Sequence, residues 1–143
     1  MDRKLILDIL IEPNGPTLRL NNGTGEVVMI PFQGKASGEI FSGLVEPCGV
    51  DTQVVNPAGV RHMSARYMLT GTDAGGRACH IYVENNGWFD ERHEWRWPFV
   101  TVPTFYSDSP ALAAYLQRNS FIGEGMEAED GLHIRFYEIL RDA

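Results

Sequence analysis

The segment Gly43-Leu-Val-Glu-Pro-Cys-Gly-Val-Asp-Thr-Gln53 sets a carboxyl and a carboxamide, Asp51 and Gln53, two residues apart just beyond a Pro/Gly turn. Residues i and i+2 of an extended chain project to the same side. If that side is the inside of a barrel, the two groups share one cavity. A carboxyl held against an apolar wall has its proton affinity raised by desolvation, which suits proton transfer near neutral pH. A neighbouring carboxamide can orient a carbonyl or hydroxyl. Each residue also has a plainer reading. An Asp beside glycine commonly bonds its own backbone in a turn, and a strand Gln is often merely solvated. The residues alone leave both readings open.

Two further stretches carry polar groups at strand spacing. Met63 to Thr72 has Ser64, Arg66, Met68 and Thr70 on one face and Met63, Ala65, Tyr67 and Leu69 on the other. Arg77 to Asn85 has Ala78, His80, Tyr82 and Glu84 on one face and Cys79, Ile81, Val83 and Asn85 on the other. Alternation does not say which face is inward. With the first face of Arg77 to Asn85 inward, His80 can shuttle a proton, Tyr82 can donate to an enolate oxygen and Glu84 can bind substrate. With it outward, the three form a solvated sheet face. Arg66 turned inward would pair with Asp51 or Glu84, or bind a ligand oxyanion. Turned outward it is a surface charge.

Three other features bear on the chemistry. The loop Gly87-Trp-Phe-Asp-Glu-Arg-His-Glu-Trp-Arg-Trp-Pro98 is rich in both aromatics and charges. Its Trp88 and Trp97 suit a lid over an apolar ligand or a dimer contact better than simple coverage of a barrel end. In Phe121-Ile-Gly-Glu-Gly125 the two glycines read as a tight turn or bulge. Glu124 between them is a candidate second acid, with a solvated turn residue as the plainer reading. His62, His93 and His133 have no spacing that makes a metal triad. There is no Ser/His/Asp order, nucleotide fingerprint or cysteine nucleophile signature. Hence neither a metal nor a cofactor is expected.

Strands must position these residues. Turn residues and period-2 alternation predict strands over Lys4 to Glu12, Thr17 to Leu20, Glu26 to Phe32 and Gly38 to Glu46, with Val54-Val55 extended. Met63 to Thr72 and Arg77 to Asn85 flank Thr72-Asp-Ala-Gly-Gly76, a hairpin signal. Phe99 to Tyr106 and His133 to Arg141 complete the set, with Pro103 pointing to an edge or bulge. One helix is predicted over Ala111 to Arg118, capped by Ser109, with Pro110 at its first position and Asn119 at its end. About eight to ten short strands and one helix fit a single antiparallel barrel.

The bulk numbers agree with one globular domain over residues 1–143. A net charge of −7 with scattered cations argues against a nucleic-acid partner. No apolar run reaches the roughly 20 residues of a membrane span, and Asp8 interrupts the start of the chain before a signal sequence could form. The expectation is a cytoplasmic protein whose two cysteines, Cys48 and Cys79, are reduced.

In order and spacing the motifs resemble those of the small bacterial and fungal proteins grouped as domain of unknown function 3237. Gly43-Leu-Val45 and Cys48-Gly-Val-Asp-Thr-Gln53 match a Gly-x-Val strand and a Gly-Gly-x-Asp-Trp-Gln turn. Ala65-Arg-Tyr-Met-Leu69, the Asp/Gly hairpin and Val83-Glu-Asn-Asn-Gly87 match an Arg-Tyr strand, its hairpin and an Asn-x-Gly ending. Phe99-Val-Thr-Val-Pro-Thr-Phe105 matches an aromatic-Arg-Thr-x-Pro-x-Phe segment, which adds Phe105 to the substrate-contact candidates. Tyr115 to Gly125 matches a short helix and a Phe-x-Gly-x-Gly turn before the last strand. The resemblance implies an all-β, lipocalin-like barrel and carries no general activity. Thr52 stands where the family usually has Trp, and Val100 where it usually has Arg. If those positions line the cavity, this member has a roomier and less cationic one.

The expected function is a cofactor-independent isomerase, cyclase or lyase acting by proton transfer on a small, oxygenated, largely apolar metabolite. Asp51, His80 and Tyr82 would carry the chemistry, and Gln53, Arg66, Glu84, Trp88, Trp97, Phe105 and Glu124 would contact the substrate. The alternative is a non-catalytic carrier or sensor of a small molecule. A homodimer is expected from the aromatic loop and the acidic, edge-rich barrel.

Overall fold

The structure, a computed structural model, describes residues 2–90 and 98–140. In chain order its elements are β1 (Arg3–Pro13), β2 (Leu18–Asn21), β3 (Glu26–Ser37), β4 (Phe41–Val55), β5 (Val60–Asp73), β6 (Ala78–Asp90), β7 (Phe99–Ser107), α1 (Pro110–Leu116), β8 (Phe121–Ala128) and β9 (Gly131–Ile139). Every strand pairing is antiparallel, in the order β1-β9-β8-β7-β6-β5-β4-β3-β2. An additional β1–β3 pairing closes the sheet into a barrel of eight strands. The short β2 takes over from β1 along the first half of β3. Closure pairs each of the eight ring strands with a neighbour on both sides, while β2 is paired with β3 alone.

Alternation then sorts each strand into an inner and an outer row. The inner rows at one end pack solid. Leu7, Phe41, Leu69, Ile81, Phe136 and Leu116 are each at most 1% exposed there. Phe105 meets Phe121 and Phe136 edge to face at 5.5 and 5.2 Å. Fully burying a side chain of this size is worth about 1.5–3 kcal/mol, so this packed end contributes substantially to the stability of the barrel. The helix follows β7 at the same end and adds Leu112 and Leu116 to the core. Ser109 caps it as predicted: its hydroxyl accepts from the Leu112 N–H at 3.3 Å and donates to Asp73 Oδ2 at 2.8 Å.

Two local expectations are corrected. Residues 46–49 do not end a strand. A register shift between Val45 and Val50 absorbs Pro47 and Gly49, and β4 continues to Val55. Asp51 is therefore a strand residue between Ile30 of β3 and Ala65 of β5, not a turn residue. Phe121 to Gly125 is likewise no turn, because it opens β8, paired with both β7 and β9. No helix among the described residues is long and apolar enough to cross a membrane.

Candidate functional site

At the end away from the helix, the inner rows enclose a cavity of about 240 Å³. Its apolar walls are Ile11, Ile30, Phe32, Phe99, Leu132 and Ile134. Its polar groups come from four consecutive strands: Asp51 and Gln53 from β4, Tyr67 from β5, Asn85 from β6 and Thr101 from β7. The register explains the grouping. Asp51 lies opposite Ala65, and Ala65 lies opposite Asn85, so the three form one row across β4, β5 and β6. The small Ala65 leaves open space between the carboxyl and the amide. Tyr67 sits two residues further along β5, its ring edge to face with Phe32 at 5.1 Å.

Two glycines shape the β7 side. A Cβ on Gly123 would come within 2.2 Å of Thr101 Oγ1, and one on Gly125 within 2.0 Å of the Phe99 ring. Their absent side chains let Thr101 and Phe99 lie flat over β8. That is the role of the Gly-x-Gly pattern, in place of the turn or bulge expected of it.

Four buried polar atoms in this cavity have no hydrogen-bond partner among the described residues: Asp51 Oδ1, the Tyr67 hydroxyl, Asn85 Oδ1 and Thr101 Oγ1. Leaving one such group unsatisfied costs about 1–3 kcal/mol. A folded protein rarely keeps several together unless they serve something else. Asp51 is tied down on its other oxygen. Gln53 Nε2 donates to Asp51 Oδ2 at 2.7 Å, and Arg61 Nη1 donates to Gln53 Oε1 at 2.8 Å. Arg61 in turn pairs with Glu26 at 3.6 Å, and Glu26 with Arg19 at 2.9 Å.

Burial pushes the Asp51 carboxyl above its ordinary range; the Gln53 hydrogen bond and the positive charge of Arg61 and His62 pull it partly back. Burial, reinforced by Asp51, pushes the Tyr67 hydroxyl far up, so it stays a proton donor at any physiological pH. No Lys, Arg or His lines the cavity among the described residues. No group of three or more His, Cys, Asp or Glu among the described residues is placed to hold a metal.

Of the residues singled out in the sequence, the cavity receives Asp51 and Gln53. Arg66, His80, Tyr82 and Glu84 lie on the outer face, because Tyr67, Ile81, Val83 and Asn85 take the inner positions of the same strands. Arg66 Nε reaches Glu84 Oε1 at 3.1 Å across the β5–β6 pair, with its side chain 65% exposed. His80 Nδ1 meets Asp108 Oδ2 at 2.8 Å, and the His80 N–H donates to Asp108 Oδ1 at 2.7 Å. Glu124 also points outward and pairs with Arg3. Phe105 belongs to the packed core and not to the cavity lining. Trp88 is 61% exposed and stacks on His62, with 4.8 Å between ring centroids. Trp97 lies outside the described residues. Val100 is 51% exposed, and Thr52 alternates outward between Asp51 and Gln53, so neither position alters the cavity.

Tyr67, Asn85 and Thr101 were missed in the sequence. The available signal was Asn85 itself, a polar residue continuing the apolar Cys79, Ile81, Val83 row.

Comparison with known proteins places the chain among relatives. The family model described as a protein of unknown function, DUF3237, matches residues 4–139. A UPF0311 protein of Clostridium acetobutylicum is 31% identical over 80% of this chain and 78% of its own length. A solved structure of a protein with unknown function from Clostridium acetobutylicum superposes with a TM-score of 0.77 at 31% identity, covering 98% of this chain and 100% of that one. A solved beta-barrel like protein from Acinetobacter baumannii gives a TM-score of 0.73 at 19% identity over 96% of this chain and 94% of that one, a likeness of fold alone.

Proposed function

The chain belongs to the DUF3237 family of proteins of unknown function, and from its cavity we propose a cofactor-independent enzyme that moves a proton on a small, neutral, oxygenated and largely apolar metabolite. One observation carries the reading: a buried carboxyl oxygen, Asp51 Oδ1, is unpartnered in an apolar cavity beside an unpartnered tyrosine hydroxyl. Asp51 acts as the general acid and base. Its raised proton affinity brings it toward the pH at which it can both take and return a proton. The Tyr67 hydroxyl donates to the substrate oxygen on which negative charge develops. Asn85 Oδ1 accepts from a substrate hydroxyl, and Gln53 holds the carboxyl of Asp51 in place. Reactions that need only this are isomerisation, cyclisation and related eliminations. The described lining residues are apolar or uncharged apart from Asp51, which favours a neutral ligand over a carboxylate or phosphate.

The test is to incubate the purified protein and an Asp51→Asn variant with a metabolite extract and to follow both by mass spectrometry. Compounds converted by the wild type and at least about a hundredfold more slowly by the variant support the enzyme. Compounds retained equally by both proteins and converted by neither make the barrel a carrier.

A further inference from the structure

We propose that Arg61 is a positioning residue: by holding Gln53 Oε1 it turns the Gln53 amide toward Asp51 Oδ2, and so makes Oδ1 the one Asp51 oxygen that exchanges a proton with a ligand. The inference rests on the reading of Asp51 given above and extends it to a residue outside the cavity lining.

Donors and acceptors fix the arrangement. Arginine has five N–H donors and no acceptor. At 2.8 Å from Gln53, Arg61 can only donate, so the atom it meets must be the amide oxygen. The amide nitrogen then faces Asp51 at 2.7 Å and carries protons whatever the pH. It must donate, and Asp51 Oδ2 must accept in both protonation states. The carbonyl oxygen of a neutral carboxyl accepts better than its hydroxyl oxygen, so when Asp51 is neutral the Gln53 bond favours the proton on Oδ1, the oxygen buried in the cavity without a partner among the described residues. When it is ionised, Oδ1 is the free acceptor. One oxygen thus takes and returns the proton, at one fixed place in the cavity.

The register builds this clamp into the mouth of the barrel. Glu26, Val55 and Arg61 form one inward row across β3, β4 and β5, and Val28, Gln53 and Met63 form the next row inward. Asp51 and Ala65 follow in the third. Glu26 holds Arg61 from across β4, and Arg19 holds Glu26. Among the described residues, the other groups that bear on Asp51 are Tyr67 and His62 from β5, while β3 and β6 present the uncharged Ile30 and Asn85.

The experiment is a titration by NMR, with carboxyl-labelled Asp and side-chain-labelled Gln, of the wild type, Arg61→Lys and Arg61→Met. In the wild type a Gln53 amide proton shifts with the same midpoint as the Asp51 carboxyl. Lysine also has donors only, so Arg61→Lys keeps that coupling. Arg61→Met loses it, because the amide is then free to flip. If Arg61 merely supplied charge, Arg61→Met would move the Asp51 midpoint and leave the Gln53 proton following it, which overturns the proposal. A Gln53 amide that ignores Asp51 in the wild type overturns it as well, and that measurement stands even if Arg61→Met fails to fold. The titration needs no substrate. A protein that converts nothing in the metabolite experiment can still show the clamp, and an active protein can lack it, so the two failures are distinguishable.

Discussion

At the scale of single residues, the cavity is a place where the fold accepts a cost. The Tyr67 hydroxyl is buried without a partner, and Phe has the same shape without the polar atom. Tyr67→Phe should leave the protein as stable or stabilise it by about 1 kcal/mol, while turnover or ligand binding drops. Urea denaturation read beside the metabolite assay checks both, and a clear loss of stability would mean that the hydroxyl has a structural partner after all. Asp51 gives a pH-dependent version of the same test. Its folded-state proton affinity lies above the ordinary value of 3.8, so folding favours the neutral form. Stability from this group is full below that value and falls as pH rises through the raised folded-state value. Asp51→Asn, neutral throughout, should therefore be more stable than wild type at pH 7 and lose that advantage below about pH 3.8. The i, i+2 spacing made Asp51 and Gln53 legible in the sequence. The same periodicity made His80, Tyr82 and Glu84 look equally suitable, because a period of two fixes which residues share a face and not which face is inside.

At the scale of elements, legibility followed local chemistry. The start of the helix was readable because Ser109 and Pro110 punctuate it, each for a local reason, whereas the helix ends at Leu116 with Gln117 as its cap, short of the expected Arg118. Ser109→Ala should cost about 1–2 kcal/mol in chemical denaturation, since its hydroxyl serves both the Leu112 N–H and Asp73. Strand β8 was not readable, because its glycines answer to residues twenty or so positions away. Gly125 pairs with Phe99 and Gly123 with Thr101, and what the glycines supply is room for those side chains. Gly125→Ala should destabilise by roughly 1–3 kcal/mol through overpacking against the Phe99 ring. Combining it with Phe99→Leu should recover part of that loss. Were the glycines there only for backbone freedom, the second change would recover nothing.

At the scale of the whole molecule, closure through the β1–β3 pairing is what decides inside from outside, and no local pattern contains it. The number of strands pointed to a barrel, and the barrel then sorted the polar residues into a cavity set and an outer set of ion pairs. The outer set shapes how the protein as a whole responds to pH. Asp73, Asp108 and Asp130 are held below their ordinary range, chiefly by the Arg77 N–H, the His80 N–H and the His133 ring respectively. Their contribution is present above the ordinary carboxylate value of 3.8 and is lost as pH falls through the lowered values. His133 acts in the opposite window. It bridges Asp8, in the middle of β1, and Asp130, in the turn between β8 and β9, at 2.8 and 2.7 Å. Those hydrogen bonds raise its proton affinity above the ordinary 6.5. Its stabilisation is therefore complete below that value and lost as pH rises through the raised folded-state value. His133→Gln should lower stability by up to roughly 1 kcal/mol at pH 5.5 and by clearly less at pH 9. Arg135, which donates to Asp8 Oδ2 at 3.2 Å, stays behind to hold the seam in the variant. Urea denaturation of both proteins at the two pH values decides the matter: an equal gap at both would mean that the neutral imidazole, and not its charge, ties β9 to β1.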